Sequence, residues 1–387
     1  PGLFALESSI DELAVELGID PVELRILNDV QEDQVSGNPF SSRKFKECLE
    51  LGSSKFGWSK RSAKPGSMKQ GEEVLGWGVA ACTWQAKKVP TEALVEFTEQ
   101  GRIRVKSATH DIGTGMYTAI AQIVSELAGV PLNIIDVEIG DTDLPPGALA
   151  GGSMATGSMI SALSQAVKKA TANLTGGAVA TPSSPFYGQK PEALQYARGK
   201  VSGPKGGSVS FGELVRKMNM SSVAGKGVEP GNFGGDEKKA KFSTKSFGAH
   251  FVEVAWNPGL ARLRVSRVVS VIDAGRIINF QPARNQIEGA IVMGIGMGLF
   301  EQTEYDKRDG NPANKNMADY VMAVHADCPD IDVTFLDYPD KEFNEMGARG
   351  VGEIGLAGMA AAITSAVYHA TGVRVRELPV AIEKLLV

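Results

Sequence analysis

Three cysteines in 387 residues, Cys48, Cys82 and Cys328, are too few and too widely spaced for a CxxC zinc pair, a four-thiolate iron–sulfur cluster or a disulfide framework. Any iron–sulfur cluster that works with this chain is therefore expected on another one. Histidine is almost as scarce, and His110, His250, His325 and His369 show no metal-ligand spacing. No GxSxG elbow and no GxxxxGKS/T loop occurs, which leaves a serine hydrolase or a P-loop nucleotide hydrolase without its chemistry. Apolar runs never reach the roughly 18 residues of a spanning helix, and Pro1 to Ala5 show no basic segment leading into an apolar one, so no membrane association is expected. Basic charge is not in excess either. Forty Lys and Arg stand against 45 Asp and Glu, for a net charge of -5 and no basic block, so nucleic acid is not an expected partner.

What is present reads as a folded protein. Apolar residues make up 43% and charged residues 22%, and the length favours two or more packed units. The sparse cysteines fit a cytoplasmic location, and a periplasmic one equally. The first residues do not read as a natural start. Glu7 to Leu17 is helix-like with Ile10, Leu13, Ala14 and Leu17 on one face, and Asp20-Pro21 caps a second helix. Residues 53–70 read as a polar linker, which places a boundary near 70 between the tail of a preceding domain (1–70) and a main domain (71–387).

Two hairpins follow, Ala93–Phe97 with Arg102–Lys106 and Phe251–Trp256 with Arg262–Ser266. Each leads to an Asp-x-Gly element, Asp111-Ile112-Gly113 or Asp273-Ala274-Gly275, and then to a long helical pattern. This spacing suggests a degenerate duplication into two similar α+β lobes, about 71–245 and 246–387, facing a common cleft. Helices are expected around Ile120–Leu127, Ile160–Val167, Ile287–Leu299 and Leu356–Val367, and surface loops at 173–190 and 221–240.

Four motifs carry candidate chemistry, and each taken alone also admits a plain structural reading. Asp111-Ile112-Gly113-Thr114-Gly115-Met116 is a glycine-rich turn entering a helix, where backbone N–H groups can hold an anion or can simply form a turn. Gly151-Gly152-Ser153-Met154-Ala155-Thr156-Gly157-Ser158 offers a second such cradle, or a helix entry capped by a hydroxyl. Gln286-Ile287-Glu288-Gly289-Ala290 runs into glycines at 294, 296 and 298, whose cost to a helix implies tight packing or a close ligand. Gly347-Ala348-Arg349-Gly350-Val351-Gly352-Glu353 sets a carboxylate, ringed by glycines, at the mouth of an apolar helix. Glu353 is there either a first-turn acid or a general base.

In this order and at these separations, the four motifs resemble the second molybdenum-binding region of the xanthine dehydrogenase and aldehyde oxidoreductase large subunit. Phe4-Ala5-Leu6-Glu7-Ser8, Asp20 to Asn28 and Asp319-Tyr320 are similar to the same family, so the likeness covers nearly the whole chain. The resemblance implies an α+β fold of two lobes and a molybdenum–molybdopterin cofactor, often in the cytosine dinucleotide form, whose metal is held by the pterin dithiolene and not by protein side chains. It implies that Gly113, Thr114, Gly115 and Met116 meet the molybdenum end of the cofactor. Gly152, Ser153, Met154, Ala155, Thr156 and Ser158 would meet its pterin and phosphate, Gln286 would approach from the opposite lobe, and Arg349, Gly350 and Gly352 would complete the binding set. Glu353 would be the catalytic base of a hydroxylation that takes its oxygen from water and acts on aldehydes, with purines and other N-heterocycles as alternatives and a non-catalytic truncated subunit as a further one. The resemblance also implies partners: the first half of the molybdenum subunit, a subunit with 2Fe–2S clusters, and an FAD subunit. The chain departs from the family at Thr114, where many members have glutamine, and at Phe280, Asn285 and Ala290.

Overall fold

The computed structural model describes residues 2–386, apart from Lys205 and the side chain of Glu237. Eight strands of five residues or more carry its architecture: β1 Glu73–Gln85, β2 Thr91–Thr98, β3 Ile103–Ser107, β4 Ile135–Ile139, β5 Ser222–Glu229, β6 Lys245–Asn257, β7 Arg262–Asp273 and β8 Asp330–Phe335. The helices are α1 Gly2–Leu17, α2 Pro21–Leu27, α3 Phe45–Phe56, α4 Met116–Ala128, α5 Ala155–Ala180, α6 Phe211–Lys217, α7 Phe280–Leu299 and α8 Met359–Thr371.

The strands form two mixed sheets of the same design. One has the order β5-β2-β3-β4, antiparallel except for the parallel pair β3–β4, which α4 connects. The other has the order β1-β6-β7-β8, again antiparallel except for its last pair β7–β8, which α7 connects. Parallel neighbours need such a crossover, whereas β2–β3 and β6–β7 close through short turns. A second helix then covers each sheet, α5 on β5 and β2, and α8 on β1 and β6.

The two lobes also share a packing device. Gly225 and Gly227 of β5 lie so close to α5 that a Cβ on Gly227 would fall 1.8 Å from the Ala162 carbonyl oxygen. Gly76 and Gly78 of β1 meet α8 in the same way, a Cβ on Gly76 falling 1.9 Å from the Ala366 carbonyl oxygen. Opposite these glycines stand Ala162, Ala166 and Ala170 on one helix and Ala362, Ala366 and Ala370 on the other, all buried. Small residues on both surfaces let backbone meet backbone, which no larger pair permits at interior packing density. The outer strand enters by different routes. β5 follows its lobe in sequence, whereas β1 precedes β2 and joins the sheet built mainly from residues 246–387.

Three expectations about local structure are corrected. Residues 173–180 continue α5, and 222–229 form β5, with loop only around them. Glycine there serves close approach to α5, yet in sequence it reads as turn punctuation. The expected linker at 53–70 contains the end of α3 and a 3-10 turn at Trp58–Lys60, and Phe56 and Trp58 are buried with Trp77 and Phe251 in an aromatic cluster on the outer face of the second sheet. In α1 the polar face is the buried one: Leu13 and Leu17 are 50% and 56% exposed, whereas Glu7 and Asp11 are buried beside Ala14. Glu7 accepts hydrogen bonds from Arg25 Nε (2.9 Å) and the Ala81 N–H (2.7 Å), and Asp11 from Arg374 (2.6 Å). These donors pay for the carboxylates' desolvation and turn the acidic face inward.

The helical segment Ile354–Thr371 is long and apolar enough to cross a membrane by composition, but 78% of it is buried inside the fold, where α8 packs between β1 and α7. Of the glycines of α7, Gly294 and Gly298 admit Met359 and Ile363, so helix packing accounts for them.

Candidate active site

The motif segments converge on one cleft between the lobes, with about 980 Å³ of empty space including its open mouth. Thr114, Met116, Ser153, Met154, Ala155, Thr156, Gln286, Arg349, Gly350, Gly352 and Glu353 all line it. The starts of α4, α5 and α7 point toward it. The α5 start is open: its cap residue Met154 offers no side-chain hydrogen bond, so the first-turn N–H groups at Ala155 and Thr156 face the cleft without a capping acceptor. Small residues at Gly151, Ser153 and Ala155 leave that end sterically accessible. A phosphate or pterin oxygen fits such a donor set.

The start of α4 is different. Asp111 accepts hydrogen bonds from Gly113 N (2.8 Å), Gly115 N (3.1 Å) and Tyr117 N (3.4 Å), so the protein's own carboxylate occupies the turn expected to hold a cofactor anion. Burial pulls that carboxyl up, but these backbone donors outweigh it and hold it below the usual carboxylate range. Gly113 and Gly115 do not line the cleft; a Cβ on Gly115 would press on Pro282 of the other lobe at 3.3 Å. Ser158 lies outside it as well, its hydroxyl donating to the Met154 carbonyl (2.8 Å) and accepting from Val89 N (3.0 Å).

Glu353 stands where the 151–156 and 347–353 segments meet. Its Oε1 accepts from Gly152 N at 2.7 Å, and its own N–H donates to Ser153 Oγ at 2.9 Å. Oε2 has no hydrogen-bond partner among the described residues. Gly152 therefore touches the carboxylate without lining the cleft itself. Gly152 and Ser153 both have positive φ, 62° and 59°; this is ordinary for glycine and uncommon for serine, and the hydrogen bond from Glu353 N helps to hold Ser153 there. Gly350 is required by close contact, since a Cβ would lie 2.5 Å from the Ser153 carbonyl oxygen. His110, next to the first motif, accepts from Ala150 N through Nε2 (3.3 Å) and so steadies the same loop.

Arg349 lines the cleft through its backbone alone. Its guanidinium points into the protein, where it pairs with Asp273 and donates to the carbonyls of Ser42 (2.9 Å) and Lys245. Asp340 stands 3.7 Å from Nε, and both acids are buried. Lys44 N and Ser41 Oγ supply further bonds to Asp273 and Asp340, at 3.0 and 2.6 Å. Arg349 thus ties four chain segments together, and of this member of the expected binding set the backbone, not the guanidinium, faces the cleft. Asn344 completes the loop by accepting from the N–H groups of Met346, Gly347 and Ala348.

Other cleft residues were not anticipated. Arg276, Ile277, Ile278, Asn279, Pro282 and Ala283 line the wall opposite Met154, and Arg276 bridges the lobes through a two-pronged pair with Glu126 at 2.6 Å. The duplication held the signal: the stretch after the second Asp-x-Gly is the counterpart of 112–119, which enters the cleft in the first lobe. Among the described residues no group of three or more His, Cys, Asp or Glu side chains clusters to hold a metal ion. The cleft's side chains instead supply hydrogen bonds, shape and one carboxylate.

Comparison with known proteins identifies the family and the fold. The model of the molybdopterin cofactor-binding domain matches residues 51–329. The chain is 40% identical over 389 residues to the aldehyde oxidoreductase molybdenum-binding subunit PaoC of Escherichia coli K12, covering 100% of this chain and 50% of that one. It is 30% identical to the xanthine dehydrogenase molybdenum-binding subunit of Escherichia coli O157:H7, covering 99% of this chain and 51% of that one. Among solved structures, the aldehyde oxidoreductase from Desulfovibrio desulfuricans superposes with a TM-score of 0.79 at 27% identity, over 99% of this chain and 40% of the other. Quinoline 2-oxidoreductase from Pseudomonas putida 86, at 22% identity, shares the fold with a TM-score of 0.82, over 99% of this chain and 51% of that one. The chain spans about half the length of the curated relatives it matches. A two-lobed fold and a cleft lined by a single carboxylate thus meet a family match over most of the sequence, and the chain belongs to the molybdopterin cofactor-binding family of aldehyde oxidoreductase and xanthine dehydrogenase molybdenum-binding subunits.

Proposed function

We propose that this chain supplies the base-bearing half of a molybdenum hydroxylase active site that oxidises aldehydes to carboxylic acids with water as the oxygen source. The observation that carries this reading is the placement of Glu353, anchored through Oε1 to Gly152 N at 2.7 Å, with Oε2 left unpaired in a cleft shared by both lobes. One oxygen fixes direction and the other is available to take a proton from the attacking hydroxyl. Bound molybdenum–molybdopterin supplies the two-electron acceptor for the oxidation. Ala155 N, Thr156 N, the Ser153 and Thr156 hydroxyls, and the backbone of Gly350 to Gly352 would hold it, with Thr114, Met116 and Gln286 on its flanks. Stacked apolar walls at Met154, Ile277, Ile278 and Val351 favour the exclusion of bulk water.

The aldehyde assignment rests on PaoC, more similar here than the xanthine dehydrogenase subunit, whose likeness supports purine hydroxylation as the second reading. The cytosine dinucleotide form of the cofactor, the partners (the remaining half of the molybdenum subunit, a 2Fe–2S subunit and an FAD subunit) and a cytoplasmic location belong to the same proposal. The test is Glu353→Gln in the complex assembled with those partners. Molybdenum content should be retained, with CMP released on hydrolysis, while aldehyde turnover falls at least about 100-fold. Wild-type turnover in the variant would sink the assignment, and kcat/KM for a purine above that for an aldehyde would select the second reading. A wild-type complex that takes up no molybdenum would point to a non-catalytic subunit.

A further inference from the structure

Glu353 is held by a turn, and the turn is itself held from outside the cleft. Trp84, near the end of β1, donates its indole N–H to the Gly152 carbonyl at 3.1 Å. Directly across the ladder from Trp84 stands Ser246 of β6, whose hydroxyl donates to the Gly350 carbonyl at 2.8 Å. One rung of the second sheet therefore grips both loops that meet at the carboxylate, Gly152 on one side and Gly350 on the other. Its spacing is set by strand pairing. Ser246 is buried, and Trp84 packs its ring partly into the second lobe's core, so neither group is free to drift. From there the path to Glu353 is short: Gly152 N to Oε1, and Ser153 Oγ to the Glu353 N–H.

We propose that the cross-strand pair Trp84 and Ser246 is a positioning clamp for Glu353, fixing the distance between the two loops so that the carboxylate keeps its oxygen on Gly152 and presents the other to the reacting atoms. Neither side chain lines the cleft, so both act through the loops and not on substrate. The clamp rests on the reading of Glu353 as the base, and it adds two residues outside the four glycine-rich motifs. Displacement of a general base by a fraction of an ångström lowers turnover without weakening substrate binding.

The test uses the complete complex with Trp84→Phe, which keeps an aromatic ring and removes the donor, with Ser246→Ala, and with Ser246→Thr as the hydroxyl-retaining control. Loss of one such hydrogen bond predicts a kcat about three- to tenfold lower for Trp84→Phe and Ser246→Ala, with KM within about twofold of wild type and molybdenum content unchanged. Ser246→Thr should recover kcat. Hydrogen exchange reads the clamp independently of activity: the 150–158 segment should exchange faster in Trp84→Phe and the 347–355 segment in Ser246→Ala. Unchanged kcat and unchanged exchange in both variants overturn the proposal, as does an equal loss in Ser246→Thr and Ser246→Ala. Should Trp84→Phe fail to assemble, the Ser246 pair decides the matter alone. If Glu353→Gln retains turnover while exchange quickens in the clamp variants, the catalytic reading falls and the clamp stands as a structural one. If Glu353→Gln is inactive and the clamp variants match wild type in both readouts, only the clamp falls.

Discussion

Replacing Arg349 with methionine tests whether this residue holds the cofactor or the fold. The guanidinium sits at zero side-chain exposure against Asp273, also at zero, with Asp340 3.7 Å away. Methionine fills much of the volume but leaves two buried acids without their cation, and it strips donors from the carbonyls of Ser42 and Lys245. Asp273 keeps one bond from Lys44 N (3.0 Å) and Asp340 one from Ser41 Oγ (2.6 Å), which offset only part of the loss. Breaking a buried pair from one side costs about 3–5 kcal/mol. Arg349→Lys should fall between, because an ammonium lacks the planar fork that reaches Asp273 and two carbonyls together. Removing one acid as well, as in Arg349→Met with Asp273→Leu, should recover part of the stability by abolishing one of the two unpaired charges. Urea denaturation followed by tryptophan fluorescence is a suitable assay, since Trp58 and Trp77 lie in the cluster against which α3 packs, directly after the Ser41 to Lys44 segment that Arg349 anchors. A loss below about 1 kcal/mol, together with reduced molybdenum content, would refute the structural reading and restore Arg349 as a cofactor ligand.

Ser153→Gly should relieve the backbone strain at φ 59° while deleting the acceptor for Glu353 N, so thermal stability should hold or rise while kcat drops about three- to tenfold in steady-state assays. Gly227→Ala places a methyl 1.8 Å from the Ala162 carbonyl oxygen, which α5 cannot yield without leaving its sheet; a loss of at least about 1–3 kcal/mol in chemical denaturation is expected. His250 and His369, both buried, are held down to about 4 from 6.5, by burial in both cases and for His369 also by Arg61. The unfolded chain then binds more protons than the folded one between those values. Their contribution is complete above pH 6.5 and is lost as pH falls toward 4, on the order of 3 kcal/mol each. A urea midpoint that stays constant between pH 7 and 4.5 would contradict this.

Local signals read well where one rule governed the residue. The periodic apolar positions of α4, α5, α7 and α8 marked helices, of which α4 and α7 bury a stripe while α5 and α8 are buried all round over Gly157–Ser164 and Met359–Val367, and the alternation in β2 and β3 marked strands that bury one face. Glycine was ambiguous: the same residue type makes a loop at Gly113, a helix-to-strand contact at Gly227 and a helix-to-helix contact at Gly294. In α1 the apolar face was legible and its burial was not, because the partners that draw Glu7 and Asp11 inward come from Arg25, Ala81 and Arg374.

By itself the sequence determined the two hairpin-and-helix units, the four glycine-rich segments and the carboxylate at 353, since composition and short-range spacing are sufficient for these. Only the tertiary structure decided which of the segments share a cleft, that Arg349 faces inward, and that Trp84 and Ser246 hold the loops around Glu353. Those outcomes depend on contacts between residues 68 to 307 positions apart, and no local pattern encodes a partner at such a distance.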